Sequence, residues 1–322
     1  MKRYSKLVAS AFICVLPLLS QAAEYPDKTI TWVVPYPAGG GTDVVARALS
    51  NEMGKAMGQS IVIENKPGAN TAIGASQVAR ASPDGYTVGS ADNATLALNQ
   101  HLFPQLSYSP TSDFEYVGGI ARFPYVLVVN PSVPANTLEE LLALAKKNPG
   151  TISYGSPGVG APNHVAMALL QQRTGTDFLH VAYRGAAPVM QDLIAGQIQF
   201  ALIDTASSIQ YINSKRVRPI AVSTEKRLAS LPDVPTFAEV GVPDFIAFSW
   251  QGMIVPKNTP APVIEKLNKA LNSALASESV TRSLSTMGVE PAGSSAADFR
   301  RFVGDQDQLW GKVIRDANIT VK

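Results

Sequence analysis

A glycine-rich turn near the start of the chain joins a predicted strand to a predicted helix. Residues 29–34 are mainly apolar and β-forming, residues 35–43 include three consecutive glycines, and residues 44–49 begin an amphipathic helix. The N–H groups in the first turn of a helix have no intrahelical partners and carry about half a positive charge. Ligands of open α/β sheets bind where strands end, so this arrangement predicts recognition of an anion.

The same arrangement recurs in the second half of the chain. Residues 151–154 form a predicted strand, residues 155–163 hold three glycines, and the helix that follows carries Val165, Leu169 and Leu170. Two helix starts of this kind are able to face each other across a cleft and hold one anion from both sides. The repeated pattern therefore predicts a clamp around a small anion.

Few residues in this sequence are suited to catalysis or to metal binding. The only cysteine is Cys14, and there is no Gly-x-Ser-x-Gly turn. The three histidines, His101, His164 and His180, lack the close spacing of metal ligands. The first glycine loop has no P-loop lysine, and a Gly-x-Gly-x-x-Gly register would place Val44 at the third glycine. We therefore predict a binding protein that is not an enzyme and that has neither cofactor nor metal.

Short apolar strands alternate with amphipathic helices after the first glycine loop. The pattern predicts strands at residues 61–63 and 86–89, a helix at residues 72–80 and a helical turn at residues 95–100. Alternation of this kind is typical of α/β proteins, in which helices cover a largely parallel sheet. A mature chain of about 300 residues is long enough for two such domains.

Two long extended apolar segments, at residues 122–131 and 245–256, are candidates for connections between the domains. Crossing at these segments would give a first domain of residues 24–124 plus 248–322 and a second domain of residues 125–247. Two extended connections form a natural hinge for closure around a ligand. Four aromatic residues flank the crossings and are expected mainly to pack in the hinge and core. They are Phe123, Tyr125, Phe248 and Trp250.

The N-terminus has the organisation of a secretory signal peptide. Residues 1–6 are basic, residues 7–19 are almost entirely apolar, and the small residues Ser20 and Ala22 stand where signal peptidase requires them. The apolar run is shorter than the roughly 20 residues that span a bilayer. We therefore predict a signal peptide at residues 1–22, with export of the mature protein to the periplasm.

Removal of this segment also changes the charge of the protein. Loss of Lys2, Arg3 and Lys6 leaves 24 basic residues against 25 acidic ones, a net charge of −1. A nearly neutral chain argues against binding to nucleic acid or to an anionic membrane surface. We expect a monomer that binds a small anionic ligand.

Five motifs, taken in order, give the sequence a resemblance to a known family. They are residues 32–43, 64–69, 82–86, 183–185 and 231–236. With these motifs the chain resembles the Bug family of periplasmic solute-binding proteins, which are the receptors of tripartite tricarboxylate transporters. The resemblance extends from about residue 25 to the C-terminus.

The resemblance implies that two α/β lobes enclose a deep cleft between domains joined by two crossing segments. It implies that a small organic carboxylate is held there by main-chain N–H groups, hydroxyl groups and water. The implied partners are the integral-membrane permease subunits of a tripartite tricarboxylate-type transporter. Two other roles stay open: a periplasmic receptor that presents the bound carboxylate to a sensor kinase, and a hydrolase descended from the same fold.

The resemblance also assigns candidate ligand-binding residues to both lobes. In the first lobe they lie in the first glycine loop and after the following strand, and they are Tyr36, Ala38, Gly39, Gly40, Thr42, Ser90 and Asn93. In the second lobe they lie in the second glycine loop and after two further strands, and they are Ser156, Gly158, Asn163, Tyr183, Gly185, Ala186 and Asp204.

Several of these positions have a structural alternative. Thr42 is either the N-cap of its helix or a hydroxyl donor to the ligand, and for Asn93 a role in a turn is favoured. Asp204, a carboxylate beside an anion site, either accepts main-chain N–H groups or binds an ammonium or hydroxyl group of the ligand. For His164 we expect packing, and for Arg184 solvation, in preference to contact with a carboxylate.

Overall fold

The computed structural model describes residues 25–321 and shows, within them, an α/β protein built on a ten-stranded sheet. The predicted signal peptide, residues 1–22, lies outside the described residues. The strands are β1 Ile30–Val34, β2 Ile61–Asn65, β3 Thr87–Asp92, β4 Phe114–Val129, β5 Ser153–Ser156, β6 Leu179–Ala182, β7 Phe200–Asp204, β8 Arg218–Val222, β9 Phe248–Pro256 and β10 Glu290–Pro291. The helices are α1 Gly41–Met57, α2 Ala72–Ala79, α3 Asn99–Leu102, α4 Leu138–Lys147, α5 Pro162–Thr174, α6 Ala186–Ala195, α7 Thr205–Asn213, α8 Ala261–Leu275, α9 Glu278–Thr286 and α10 Ala296–Asp316. A π-helical turn, Ala94–Leu98, leads directly into α3.

The sheet contains the same parallel unit twice. Its strand order is β2-β1-β3-β9-β4-β7-β5-β6, and β8 and β10 pair with β4 outside this path. β1 is parallel to both β2 and β3, and β5 is parallel to both β6 and β7. β9 is antiparallel to β3 and β4, and β4 is antiparallel to β7. Each three-stranded parallel unit is the centre of one lobe, and β4 and β9 lie between the two units.

The long strand β4 belongs to both lobes. Its first part, from Phe114 to Pro124, pairs with β9, and its last part, from Tyr125 to Val129, pairs with β7. β9 returns the chain to the first lobe. The expectation that two extended segments join two α/β lobes is therefore confirmed, while the residue bounds of the two domains stay a prediction.

The parallel strands nearest the crossing, β3 in the first lobe and β7 in the second, end at the crossing. β3 ends at Asp92, which pairs with Gln251 near the start of β9. β7 ends at Asp204, which pairs with Tyr125 of β4. Because helices follow strand ends in α/β units, helix N-termini of both lobes come together here. The cleft between the lobes lies at this edge.

The helix after the first glycine loop, α1, is held in place by the packing of apolar side chains on its buried face. Val45, Leu49 and Met53 are spaced four apart and pack with Trp32 of β1 in the core of the first lobe. Full burial of each such side chain is worth about 1.5–3 kcal/mol. Gly58 ends the helix in a left-handed conformation with φ 69°. The start of α1 is thereby held against the strand that carries the loop.

The C-terminal helix α10 is 21 residues long and packs against both lobes. Its first half places Phe299 and Val303 in the core of the first lobe. Its second half places Trp310 and Val313 in the core of the second lobe, beside Val165 of α5. Neither α10 nor any other helix between residues 25 and 321 has the length and hydropathy that a membrane span requires.

Most predicted elements are confirmed, but three predicted strands end too early, and the first of these, β2, continues to Asn65. The predicted helix at residues 72–80 is α2, and the predicted helical turn at residues 95–100 falls in the π-helical turn and α3. β3 continues to Asp92, so Ser90 lies inside the strand and not after it. β5 likewise continues through Ser156. β3 is prolonged by pairing with β9, a distant segment that the local sequence pattern does not reveal.

Candidate ligand-binding cleft

The first glycine loop presents backbone at the edge of the cleft. Tyr36 is half-buried, whereas Ala38, Gly39 and Gly40 are exposed. Gly39 has φ 86°, a conformation that favours glycine. The loop therefore offers main-chain groups, with little side-chain bulk, to whatever enters the cleft.

Asp43 holds this loop in shape from the first turn of α1. Its carboxylate accepts hydrogen bonds from Gly39 N–H at 2.8 Å, Arg47 Nε at 2.9 Å and Asn65 Nδ2 at 2.8 Å. Asn65 also donates to Tyr36 O at 3.0 Å. Burial favours the neutral acid, but the donors from Arg47, Gly39 and Asn65 outweigh it and hold the pKa of Asp43 below its usual value. The Gly39 N–H is therefore already hydrogen-bonded within the loop, and the role of Gly39 is to allow the turn.

Gly40, and not Thr42, is the N-cap of α1. The first intrahelical bond runs from Val44 N–H to Gly40 O at 2.9 Å. Of the two alternatives for Thr42, the N-cap role is therefore wrong, because the helix begins before Thr42, at Gly41, and contact with the ligand stays a prediction. The N–H groups of Gly41, Thr42 and Asp43 precede the first intrahelical bond, and this makes them the donors for an anion.

A carboxylate that the sequence reading missed, Asp92, lies under the first loop. Tyr36 Oη donates to its Oδ2, and Thr95 donates to its Oδ1 from N–H at 2.9 Å and from Oγ1 at 2.8 Å. Burial raises the pKa of Asp92 even though these donors favour the charged form. Burial and the neighbouring Asp92 also raise the pKa of Tyr36, so its hydroxyl keeps its proton. An Asp three residues before a Thr is the signal that could have identified this side-chain to main-chain contact.

Ser90 and Asn93 tie β3 to the crossing. Ser90 Oγ accepts Trp32 Nε1 at 2.9 Å and Gln251 Nε2 at 2.8 Å. Asn93 donates to Phe248 O at 3.2 Å and accepts Trp250 N–H at 2.8 Å. Both side chains are buried, and both ends of the Asn93 amide are paired within the protein. The structure thus gives these two candidates a place in the hinge.

The second glycine loop is held by a pair of stacked histidines. Ser156 Oγ donates to Gly158 O at 2.9 Å and lies 2.7 Å from His180 Nε2. Gly160 N–H donates to His164 Nδ1 at 3.0 Å, and the two imidazole rings stack with centroids 3.9 Å apart. Burial, and then His180, lower the pKa of His164 to about 4, so it is neutral at pH 7. His164 is therefore a packed residue, as expected.

Most polar groups of the second glycine loop are already hydrogen-bonded within the protein. Gly158 N–H donates to Ser156 Oγ at 3.3 Å, and Ala161 N–H donates to Gly158 O at 3.2 Å. The Asn163 side chain donates to Leu202 O at 3.1 Å. α5 begins at Pro162, which has no N–H. The second glycine loop therefore shapes the cleft wall and presents fewer donors than the first.

The next loop of the second lobe leads to α6. Tyr183 N–H donates to Ser156 O at 2.9 Å, and its hydroxyl donates to Asp192 Oδ2 at 2.7 Å. Burial and Asp192 raise the pKa of Tyr183 to about 12. Gly185, with φ 117°, is the N-cap of α6, and its N–H donates to Pro157 O at 3.0 Å. Ala186 follows as the first helical residue, with its N–H at the helix start.

The start of α7 faces the start of α1 across the cleft. A Cβ placed on Gly41 would lie 3.7 Å from Ala206 Cβ, in the first turn of α7. Asp204 is the N-cap of α7, and its Oδ1 accepts Ser207 N–H at 2.8 Å. The N–H groups of Thr205 and Ala206 precede the first intrahelical bond. The sequence pattern singled out only Asp204 in this region and did not identify the N–H groups of Thr205 and Ala206 as donors.

Hydroxyl groups of the two crossing strands form the floor between the lobes. Tyr125 Oη and Ser249 Oγ lie 2.6 Å apart. Burial raises the pKa of Tyr125, and the nearby carboxylates of Asp204 and Asp92 raise it further. Tyr125 is thus close to both acidic residues and keeps its proton. The site combines helix N-termini at its walls with hydroxyl groups and two carboxyl groups at its floor.

Sequence comparison places the chain among transport receptors. Residues 45–319 match the family described as "Tripartite tricarboxylate transporter family receptor". The chain is 37% identical over 291 residues to the UPF0065 protein in the tcbD-tcbE intergenic region of Pseudomonas sp. (strain P51), covering 90% of this chain and 86% of the relative. It is 33% identical over 302 residues to BugT of Bordetella pertussis, covering 94% and 93%.

Solved structures agree with this placement. Rpa4515 of R. palustris with adipate superposes with a TM-score of 0.86 at 34% identity, over 92% of this chain and 100% of the other. The periplasmic binding protein BugD gives 0.82 at 34% identity, over 92% and 100%. MatC from Rhodopseudomonas palustris with bound malate gives 0.81 at 30% identity, over 90% and 100%. This chain therefore belongs to the Bug family of solute-binding proteins, the tripartite tricarboxylate transporter receptors.

Proposed function

We propose that this protein binds a small organic carboxylate in the cleft between its lobes. The observation that carries the proposal is that two helix starts, α1 and α7, face each other closely, because a Cβ on Gly41 would be in van der Waals contact with Ala206 Cβ at 3.7 Å. Both starts present unpaired N–H groups and the positive ends of helix dipoles. Two structural relatives hold adipate and malate, which are small carboxylates.

Helix N–H groups are sufficient for useful affinity without a basic side chain. A hydrogen bond to a charged oxygen contributes about 1.5–3 kcal/mol net. Dissociation at about 1 μM requires roughly 8 kcal/mol. Three to five such bonds, drawn from α1, α6 and α7, therefore meet the requirement. The residues predicted from the sequence are proposed to line or shape the pocket, and the N–H groups of Gly41, Thr205 and Ala206 are proposed as donors to the carboxylate.

The proposed place of action is the periplasm, and the proposed partner is the permease of a tripartite tricarboxylate-type transporter. The signal-like residues 1–22 and the periplasmic relative BugD support the compartment. Membership of the receptor family supports the partner. The permease would contact both lobes around the cleft mouth, where the relative position of the lobes reports whether a ligand is bound.

The test is a binding screen on ligand-free protein that begins at residue 23. Thermal unfolding and calorimetry would be measured with adipate, malate, succinate, citrate and the corresponding amides. A bound ligand raises stability by RT ln(1 + [L]/Kd). We expect stabilisation by at least one acid and none by its amide. Equal stabilisation by acid and amide, or none by any acid, would contradict carboxylate capture. Uptake of the identified acid by cells lacking this receptor would then test the role in transport.

A further inference from the structure

A hydrogen bond joins the two lobes beside the crossing strands. Thr205, the first residue of α7 in the second lobe, donates from Oγ1 to Gly288 O at 2.7 Å. Gly288 lies in the turn between α9 and β10, in the first lobe. The side chain of Thr205 is fully buried, so its hydroxyl depends on a protein acceptor. The contact between Thr205 Oγ1 and Gly288 O is called the Thr205–Gly288 bond below.

Gly288 is held in a fixed position by the first lobe. Leu284 and Val289, which flank the turn, are buried in the core that α1 also forms. Two main-chain hydrogen bonds close the turn, from Gly288 N–H to Ser285 O at 3.0 Å and from Val289 N–H to Leu284 O at 2.9 Å. Gly288 has φ 65°, the conformation usual for a glycine that follows a helix. Its carbonyl is therefore a well-placed acceptor on the first lobe.

Thr205 belongs both to the second lobe and to the cleft. It follows Asp204, the last residue of β7, whose side chain caps α7. Its main-chain N–H precedes the first intrahelical bond and is one of the donors proposed for the carboxylate. The next residue, Ala206, would be in contact with a Cβ on Gly41 at the start of α1. The first turn of α7 thus touches the first lobe at two places, α1 and Gly288.

The Thr205–Gly288 bond spans the point at which β4 passes between the lobes. Pro124 is the last residue of β4 that pairs with β9, and Tyr125 is the first that pairs with β7. Gly288 leads into β10, which pairs with the part of β4 before this point, and Thr205 follows β7. Rotation of the lobes about this point therefore changes the distance between Thr205 Oγ1 and Gly288 O. A hydrogen bond weakens steeply with such a change, whereas the apolar packing of α10 on both cores has no directional requirement.

We propose that Thr205 is a positioning residue whose hydroxyl latches the two lobes at the angle at which a ligand is held. The Thr205–Gly288 bond keeps the start of α7 close to the start of α1, so that N–H groups of both lobes reach one carboxylate. An enclosed carboxylate leaves only after the lobes separate, and separation breaks this bond. The hydroxyl therefore slows release and leaves capture by the separated lobes unaffected. The effect on release rests on the proposed function, whereas the effect on the lobes is measurable without ligand.

Three substitutions of Thr205 test the hydroxyl, and all three keep the main-chain N–H. Thr205→Val keeps the branched shape without the donor, Thr205→Ala removes both branches, and Thr205→Ser restores the donor alone. Stopped-flow tryptophan fluorescence would follow adipate and malate on protein that begins at residue 23. We expect the Val and Ala variants to release the acid about twofold to tenfold faster, the effect of one neutral hydrogen bond, with an unchanged association rate. Thr205→Ser should return the release rate towards that of the wild type.

The distance between the lobes provides a second measurement. The only cysteine of the chain, Cys14, lies in the predicted signal peptide, so spin labels attach only to introduced cysteines. Val62 of β2 and Leu179 of β6 are about half exposed, at 54% and 51%, and stand on the outermost strands of the two lobes. Pulsed electron paramagnetic resonance would be performed on the ligand-free Val62→Cys, Leu179→Cys protein. Adding Thr205→Val should shift or broaden the distance distribution, and adding Thr205→Ser should not.

Gly288→Ala tests the other end of the bond. Its Cβ would lie 3.1 Å from Thr205 Cβ and 3.2 Å from Thr205 Oγ1, which pushes the turn away from α7. Gly175→Ala is the matched control, because Gly175 has a similar φ of 61° and open space around its Cβ. Both substitutions carry the same backbone strain. Only Gly288→Ala should speed release and change the distance between the lobes.

The outcomes separate this inference from the proposed function. Wild-type release rates in the Val and Ala variants, or a wild-type distance distribution in the Val variant, overturn the inference. It is also overturned if Thr205→Ser behaves as Thr205→Ala does, or if the substitutions change only the association rate. Carboxylate capture stands in each of these cases. If neither adipate nor malate nor any other acid binds, the proposed function fails, and the distances in the ligand-free protein alone decide whether Thr205 latches the lobes.

Discussion

Gly40→Asp should abolish carboxylate binding while leaving the protein at least as stable as the wild type. Gly40 is the N-cap of α1, with φ −77° and ψ 165°, and these angles suit an aspartate at this position. The nearest atom to a Cβ there is Pro37 O at 3.7 Å, so the side chain fits. Aspartate caps a helix slightly better than glycine, by a few tenths of a kcal/mol. Its charge, however, stands where an anion must bind.

The magnitude follows from the geometry of the helix start. A ligand carboxylate that accepts Gly41 and Thr42 N–H would lie roughly 4 Å from the new carboxylate. At an effective dielectric constant of about 20, repulsion between two unit charges at this distance is about 4 kcal/mol. This corresponds to a loss of affinity of about a thousandfold, since 1.36 kcal/mol is a factor of ten.

Two further variants at Gly40 separate the effect of the added negative charge on binding from the effect of a helix-capping side chain. Gly40→Asn also caps the helix and competes for one N–H group, so it should weaken binding by about 10–100-fold. Gly40→Ala adds only a methyl group in open space and should bind nearly as the wild type does. Affinity would be measured by calorimetry with the best acid of the screen, and stability by thermal unfolding. If the Asp and Asn variants bind equally well, the start of α1 does not face an anion and the reasoning is refuted.

The remaining predictions concern stability. Gly252→Ala should destabilise the protein by about 1–3 kcal/mol or more in denaturant unfolding, because its Cβ would lie 1.9 Å from the ring of Phe299, while Gly304→Ala in open space on α10 should be neutral or stabilising. His164 has a pKa lowered to about 4, so its neutral form stabilises the fold fully above the unfolded value of about 6.5, and this contribution is lost as pH falls towards 4. His164→Asn should therefore flatten the fall in melting temperature between pH 6.5 and 4, and an unchanged slope would contradict it. Asp43→Asn should cost about 1–3 kcal/mol at pH 7, and in thermal unfolding this difference should shrink as pH falls below the ordinary carboxyl value of about 3.8 and through the lowered pKa of Asp43.

The fold was largely predictable because its signals are local. Apolar periodicity located α2 to within a residue, and strand propensity located the two crossing segments. The glycine run predicted the turn before α1 correctly. These features depend on residues a few positions apart, which is the range over which propensity and periodicity act.

Much of the candidate site was not predictable because its partners are distant in the sequence. Asn93 binds the main chain at Phe248 and Trp250, and this pairing cannot be inferred from the residues around Asn93. Asp92 was overlooked because β3 was ended at residue 89, before the pairing with β9 that extends it. The sequence also did not show which N–H groups of the first glycine loop are free to bind a ligand. Asp43 accepts the Gly39 N–H, and this contact exists only once the turn has folded.

The way α10 packs limits how this protein can open. Phe299 anchors the helix in one core and Trp310 anchors it in the other, 11 residues apart, or about 16 Å along the axis. A continuous helix is stiff, so rotation about β4 and β9 cannot proceed while both anchors stay in place. Opening requires α10 to slide along one of the two cores or to bend between the anchors, where Gly304 is the weakest point for a bend. The helix therefore connects the two cores, and its packing limits how far the lobes can separate.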